Sequence, residues 1–276
     1  MSGSLVDRLL ALIELLADRP AGLPLQAIAA SIGIPKSAAH RLLGDLQRNR
    51  YARQDEATAR YFLTTRFVSL GFRYLAASGV VDLAQPALDR LAADTGELVR
   101  LGIIDGDRQT WVAKAQGART GLRYDADMGM EAPLSCTASG HAWLACLTDE
   151  EAIELVMRQG FGSDEPRGPN APRTISALLE RLRLARKRGY ATVVDSSALG
   201  TSAMAAPIRH RTGQRVIGVV SVAGPSVRLT EARMRELGPQ VLATAAELAE
   251  VCEGSEYLAQ ASRAIGRPAL ARATGT

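Results

Sequence analysis

The sequence predicts a two-domain α+β protein, and three observations predict it. Near the N-terminus two short helical segments flank a tight turn at Ile32-Gly33-Ile34. From Glu97 onward, apolar strand-like runs alternate with amphipathic helices. A chain of 276 residues is long enough for two separate cores. Apolar residues make up 47% and charged residues 22% of the chain, the proportions of an ordinary globular protein. A net charge of +4 and a pI near 9.2 permit a nucleic-acid partner without requiring one. No apolar run reaches membrane-spanning length, and the N-terminus lacks a signal peptide's apolar core and cleavage site. A cytoplasmic location and no membrane partner are therefore expected. Three cysteines, Cys136, Cys146 and Cys252, are too few and too unevenly spaced for a disulfide framework or a zinc motif. They are expected to be small buried hydrophobes, with Cys136 alone falling in a loop.

Taken in order, Ser4 is placed to cap a first helix that carries Leu5, Leu9, Leu12, Ile13 and Leu16 on one face as far as Asp18. Arg19-Pro20-Ala21-Gly22 breaks it. The stretch LQAIAASIGIPKSAAHRLLGDLQRNRY then has the spacing of a helix-turn-helix. Ala29 lets the two helices approach, Gly33 takes a left-handed turn, and Pro35 suits the first turn of the second helix. Ala38, Ala39, Leu42, Leu43 and Leu46 fall on an inward face of that helix, and Lys36, Ser37, His40, Arg41 and Gly44 on the opposite one. A basic, hydrogen-bonding N-terminal half is what a helix reading base edges in the major groove requires. It is also what any solvated helix face looks like. A hairpin follows: strand residues from Tyr51 to Arg53, turn residues from Asp55 to Thr58, and a return from Tyr61 to Leu63. This reads as a wing, with Arg53 and Arg60 flanking its tip within reach of phosphate or the minor groove.

Beyond the wing, the segment from Thr65 to Gly79 is amphipathic, with Phe67, Leu70, Tyr74 and Leu75 on one side. A second helix is predicted from about Val81 to Thr95, kinked or restarted at Pro86 and ended by Gly96. Glu97 to Asp105 and Gln109 to Ala115 read as a hairpin around Gly106-Asp107, with Leu122 to Tyr124 as a third short strand. Helices are predicted over Thr137 to Leu147, Asp149 to Gln159, and from a Thr174 cap to Arg188. The stretch from Phe161 to Arg173 between them reads as loop. Strands then follow at Ala191–Val194, Ala203–Arg209 and Arg215–Ala223, with Thr212-Gly213-Gln214 turning between the last two. Thr230 caps a final helix to about Cys252, and the Ala/Arg/Gly-rich tail reads as frayed.

The segments SLVDRLLALIELLAD and LQAIAASIGIPKSAAHRLLGDL, with the wing, resemble the N-terminal domain of IclR-type transcriptional regulators. MGMEAPLSCTASGHAWLA, GYATVVDSSALGTSAMAAPI and VIGVVSVAGP are similar to three further motifs of the family, so the resemblance spans about Leu5 to Glu250. It implies a winged helix-turn-helix over 1–66, linker helices over 67–95 that help pair subunits, and a flexible tail over 255–276. Between them it implies an effector-binding domain over 96–254 with a central antiparallel, GAF-like sheet. It further implies a homodimer or homotetramer on double-stranded operator DNA with an inverted repeat, a small organic acid as effector, and no cofactor. Carried over by position, the effector contacts fall at Ala138, Ser139, Val193, Ala203, Ser221 and Ala223. Acid-binding members carry an aspartate and a cysteine where Val193 and Ala203 align, and a second serine at Ala223. The resulting pocket is less polar, so a carboxylate with an aromatic or otherwise partly apolar body is expected. The opening of the helix near Thr137 supplies free N–H groups that favour an anion.

Two other readings are compatible with the residues. In one, the second domain only oligomerises a DNA-binding protein. In the other, Ser139 or Cys136 is a nucleophile with His141 as base and Asp195 as orienting carboxylate, although no nucleophile-elbow motif is present. A metal at His141 with Cys136 or Cys146 lacks a second histidine or an acidic cluster. Arg123 and Asp195 are candidates to shape the pocket, and Trp111 and Trp143 read as core.

Overall fold

Ser4 opens the first helix as its position predicts. In the computed structural model, which describes residues 4–125, 128–161, 167–210 and 215–252, its hydroxyl accepts the Asp7 N–H at 3.1 Å and the Asp7 carboxylate accepts the Ser4 N–H at 2.7 Å. This reciprocal capping box satisfies donors that the helix itself leaves unpaired. The helix, α1 (Leu5–Ala17), is followed by a short strand β1 (Leu23–Pro24), then α2 (Leu25–Ser31) and α3 (Lys36–Arg48). Gly33 turns between α2 and α3 at φ +66°, a conformation that costs glycine nothing. Pro35 stands one position earlier than the sequence places it, as the extended N-cap of α3. Leu12, Leu16, Ile28, Leu42, Leu43 and Leu46 meet in one core with Ala52 and Tyr61. Each buried leucine there contributes roughly 2 kcal/mol by leaving water. Ala39 is fully buried, whereas Ala38 and Gly44 are half-buried at the edges of the helix's two faces.

The wing is β2 (Ala52–Gln54) paired with β3 (Arg60–Leu63). β1 adds to the other side of β3, so the small sheet has the order β1-β3-β2. α4 (Thr65–Ser78) follows. Of its expected apolar face, Phe67 and Leu75 are half-buried while Leu70 and Tyr74 are exposed. Phe67 packs against Tyr51 with ring centroids 4.8 Å apart.

The chain divides into two units, Met1–Ala77 and Ser78–Thr276. The second begins with α5 (Val80–Thr95), which runs through Pro86 as one helix and ends on Gly96 in the left-handed conformation. Then come β4 (Leu98–Asp105), β5 (Arg108–Gln116), α6 (Ala138–Leu144), α7 (Asp149–Gln159) and α8 (Ile175–Arg188). β6 (Ala191–Val194), β7 (Thr201–Arg209), β8 (Val216–Pro225) and α9 (Glu231–Cys252) complete it. The five strands form one antiparallel sheet in the order β5-β4-β8-β7-β6. Val99, Leu101, Ile103, Met204, Ala206, Val220 and Val222 point to a core shared with α5 and α9. Alternate residues, among them Ile104, Ala191, Val193, Ala205 and Val219, point to a second core shared with α6, α7 and α8. The molecule's α+β character therefore comes from a sheet buried on both sides.

Three expectations need correction. Leu122 to Tyr124 form no strand, because side chains take the carbonyls that a neighbouring strand would have used. Arg228 Nη1 donates to Leu122 O at 2.6 Å and Gln116 Nε2 to Tyr124 O at 3.0 Å. The helix predicted to Leu147 stops at Leu144, where Cys146 N and Leu147 N close tighter three-residue turns onto Trp143 O and Leu144 O. β7 starts at Thr201 and β8 reaches Pro225, so both strands are longer than their apolar runs. The predicted turn at Thr212-Gly213-Gln214 and the tail from 253 lie outside the described residues. Among the described residues no single helix is long and apolar enough to cross a membrane.

Candidate functional site

On the first unit, α3 presents Lys36, Ser37, His40 and Arg41 together on an exposed face. Lys36 Nζ donates to Gln26 Oε1 on α2 at 3.2 Å, tying the start of the presented helix to its partner. Among the described residues Ser37, His40 and Arg41 have no side-chain partner, so their donors and acceptors point outward. Arg53 lies over the Phe62 ring at 4.5 Å, a stack that fixes its position and leaves its N–H groups available. Arg60 is different: its guanidinium donates to Gly22 O at 3.0 Å and Ala21 O at 3.3 Å, fastening the loop after α1 to the wing. At the wing tip, Thr58 donates to Asp55 Oδ1 from both its N–H (2.8 Å) and its hydroxyl (2.7 Å). These hydrogen bonds hold the Asp55 carboxyl below its usual pKa and spend its charge on the turn. Sequence reading missed β1, Gln26 and Arg66, the last of which lies over the Tyr51 ring at 4.8 Å.

On the second unit the carried-over effector positions gather on the sheet face that meets α6. Cross-strand register aligns Val193, Ala203, Ala223 and Leu98 in one row, and Ala191, Ala205, Ser221 and Arg100 in the next. Ala138 shares a core with Val193 and Ala205, and Ser139 is buried beside it at the start of α6. These rows are built largely from alanine and serine, and Ala191 and Ala205 pack in the core shared with α6 and α8. Ser221 is buried, and its hydroxyl lies 3.5 Å from Arg100 O, too far for a strong bond. The helix start is less of an anion site than the sequence implies. α6 is a single short helix, and the Thr137 hydroxyl already takes the Gly140 N–H at 2.9 Å.

The same face carries a buried polar cluster that sequence reading passed over. Arg100 is 6% exposed, and its guanidinium carbon lies 3.8 Å from the centre of the Trp111 ring and 6.0 Å from that of Tyr124. Burial pulls its pKa below the usual arginine value, and its Nε has no hydrogen-bond partner. Beside it, Gln109 is fully buried with both amide atoms unpaired, and the Trp111 indole N–H is also unpaired. A readable signal existed: Arg100 is the one charged residue between Leu98 and Ile104, and strand alternation puts it on the face of Gly102 and Ile104.

His141 belongs to this unit's interior and not to a catalytic set. It is 1% exposed, and because a carbonyl can only accept, its Nε2–H donates to Ser135 O at 2.9 Å. Burial lowers its pKa to about 4, so it is a neutral imidazole and a poor base at neutral pH. Asp195 Oδ1 accepts the Gly200 N–H at 2.6 Å and closes the turn between β6 and β7. Arg123 pairs with Asp125, and Trp143 is core. Cys136 is buried, and Cys146 is half-buried with its thiol pKa raised by burial. Among the described residues no group of three His, Cys, Asp or Glu side chains stands ready for a metal ion.

Comparison with known proteins gives the context for both sites. Residues 5–56 match the IclR helix-turn-helix domain, and residues 72–250 match the bacterial transcriptional regulator IclR C-terminal domain. The chain is 28% identical over 246 residues to the transcriptional repressor IclR of Escherichia coli strain K12, covering 88% of each. It is 30% identical over 243 residues to the HTH-type transcriptional regulator BhcR of Paracoccus denitrificans strain Pd 1222, covering 88% of this chain and 85% of the other. These relatives are named repressors and regulators, not enzymes. Among solved structures, an IclR regulator from Alicyclobacillus acidocaldarius superposes with a TM-score of 0.77 at 24% identity, covering 91% of this chain and all (100%) of the other. An IclR homologue from Microbacterium hydrocarbonoxydans, complexed with 4-hydroxybenzoate, has the same fold, with a TM-score of 0.73 at 19% identity and 91% and 100% coverage. The two domain matches join a DNA-binding unit to the sheet unit in one chain, and the protein belongs to the IclR family of bacterial transcriptional regulators.

Proposed function

We propose that this regulator is ligand-responsive, binding an inverted-repeat operator as a dimer or tetramer and answering to a small, partly apolar organic acid. The exposed face of α3 carries the DNA half of the reading: Lys36, Ser37, His40 and Arg41 enter the major groove, with Arg53 on the wing beside backbone or minor groove and Arg60 holding the wing in place. Subunit pairing is supported by large apolar side chains left in water on the first unit. Leu5, Val6 and Leu10 on α1 and Val68 and Phe72 on α4 are all more than half exposed. The small-residue face around Ala203, Ser221 and Ala223 carries the ligand half. A bound acid shifts operator affinity only by its differential affinity for the two arrangements of the subunits.

The test is a gel shift with DNA from upstream of the protein's own gene, repeated with aliphatic and aromatic carboxylates. A specific complex that one acid alters is the expected result. A specific complex that no ligand alters leaves an oligomerising second domain, and no specific complex at moderate salt removes the operator assignment. Within the same assay, Arg41→Ala is expected to weaken operator binding by roughly 1–3 kcal/mol, with acid binding unchanged. Unchanged operator affinity removes Arg41 from base readout.

A further inference from the structure

We propose that Arg100 is the acid-binding residue of the ligand face, pairing with the carboxylate of a planar acid whose body lies over the small side chains of β7 and β8. The inference rests on the ligand-responsive reading and adds where the ligand's charge is held. It places that charge on β4, away from the carried-over positions at the start of α6.

Four observations carry it. First, Arg100 is a buried cation for which the described residues supply no carboxylate and no hydrogen-bond acceptor, and its Nε is unpaired. Such a charge is a standing cost to the fold unless something binds it. Second, the Arg100 guanidinium carbon sits over the Trp111 ring, 3.8 Å from its centre. A guanidinium held on a ring face keeps N–H groups at its rim for a bidentate acceptor, which a carboxylate matches. Third, Gln109 lies against Gly102, where an added Cβ would stand 2.6 Å from Gln109 Nε2. The glycine thus makes room for a buried amide that has both a donor and an acceptor unused, next to the unpaired Trp111 indole N–H. These groups stand on the β5 side of Arg100 and add to the polar end of the site, opposite the small side chains of β8 and β7. Fourth, Arg100 stands directly across from Ser221, and that row continues through Ala205 to Ala191. The row beside the arginine therefore carries only small side chains.

The segment over the cluster is tethered from below. Arg228 pairs with both oxygens of buried Glu97, at 2.8 and 2.9 Å, and reaches Leu122 O. Lys114 reaches Asp125 at 2.7 Å. These contacts bracket Tyr124, whose ring faces Arg100.

Isothermal titration calorimetry on the full chain, with acetate, benzoate and 4-hydroxybenzoate as probes and benzamide as the neutral isostere, tests the assignment in wild type, Arg100→Gln and Arg100→Leu. Wild type is expected to prefer at least one aromatic acid over benzamide. Arg100→Gln is expected to lose that acid's binding by about 100-fold, with benzamide binding changed by no more than about threefold. Without ligand, Arg100→Leu is expected to raise the urea midpoint, which a purely structural arginine would lower. Wild-type affinity for the acids in Arg100→Gln, a lowered urea midpoint in Arg100→Leu, or a wild type that prefers no aromatic acid to benzamide each overturns the proposal. Gel shifts on the same preparations separate it from the regulatory reading. Acid binding through Arg100 that leaves the DNA complex unaltered keeps the anchor and removes the regulation. A DNA complex altered by acid equally in wild type and Arg100→Gln does the reverse.

Discussion

His141 is held neutral by burial and by the Ser135 carbonyl, and this makes it a pH-dependent element of stability. Its pKa is about 4 in the folded chain against 6.5 for an unperturbed histidine. As pH falls from 6.5, the unfolded chain takes up a proton that the folded chain refuses, so stability is full above 6.5 and is lost as pH falls toward 4. The expected loss approaches about 1.4 kcal/mol per pH unit and reaches about 3 kcal/mol in all. Urea unfolding of wild type and His141→Asn between pH 7.5 and 4 checks it: the curves should converge as pH falls, and parallel curves would sink the assignment. That His141 is interior was not legible, since its neighbours Ser139, Gly140 and Ala142 give no sign of which way the ring points. Arg100 was legible in principle. A lone charge in LVRLGIID had to lie on one sheet face, but only the structure showed that no acid meets it there.

At the scale of elements, the wing divides its two arginines between different tasks. Arg53 stacks on Phe62 with its donors outward, while Arg60 spends hydrogen bonds on the loop at Ala21 and Gly22. Arg53→Ala is expected to lower the slope of log affinity against log salt by about one, with thermal stability unchanged. Arg60→Met should cost about 1 kcal/mol of unfolding free energy through the lost hydrogen bonds, with operator binding weakened through the displaced wing. Fluorescence anisotropy across a salt series and thermal unfolding separate the two, and equal behaviour would show the division to be wrong. The long elements α1, α8 and α9 were readable because capping residues and apolar periodicity agree over several turns, and α3 because its apolar periodicity does. β1 was not, because two residues ending in proline carry no alternation, and its pairing with Tyr61 and Arg60 exists only in three dimensions. The false strand at Leu122 to Tyr124 failed for the complementary reason: the local pattern was right, but Arg228, far along the chain, claimed the carbonyl.

For the whole molecule, each unit has its own core, and the first also leaves α1 and α4 with apolar side chains in water. If these faces pair two subunits, Val68→Glu with Phe72→Glu should lower the sedimentation-derived mass toward one chain. It should also weaken binding to an inverted repeat by more than tenfold, with acid binding intact. An unchanged mass would place the subunit interface elsewhere. The family motifs made the two-unit plan readable from the sequence, whereas the proposed ligand face depends on register between distant strands.

That register also bears on the order in which the protein comes into being. Arg100 and Ser221 are neighbours in the sheet but 121 residues apart in the chain, whereas the first unit's core closes among residues up to Tyr61. Pairing across so long a loop is slow and waits for β8 to be made. During synthesis, the half that carries the basic helix is therefore complete while the central strand β8 of the other half is still missing. A growing chain passes through an interval in which it has the parts to grip DNA and still lacks the strand that completes the proposed ligand face.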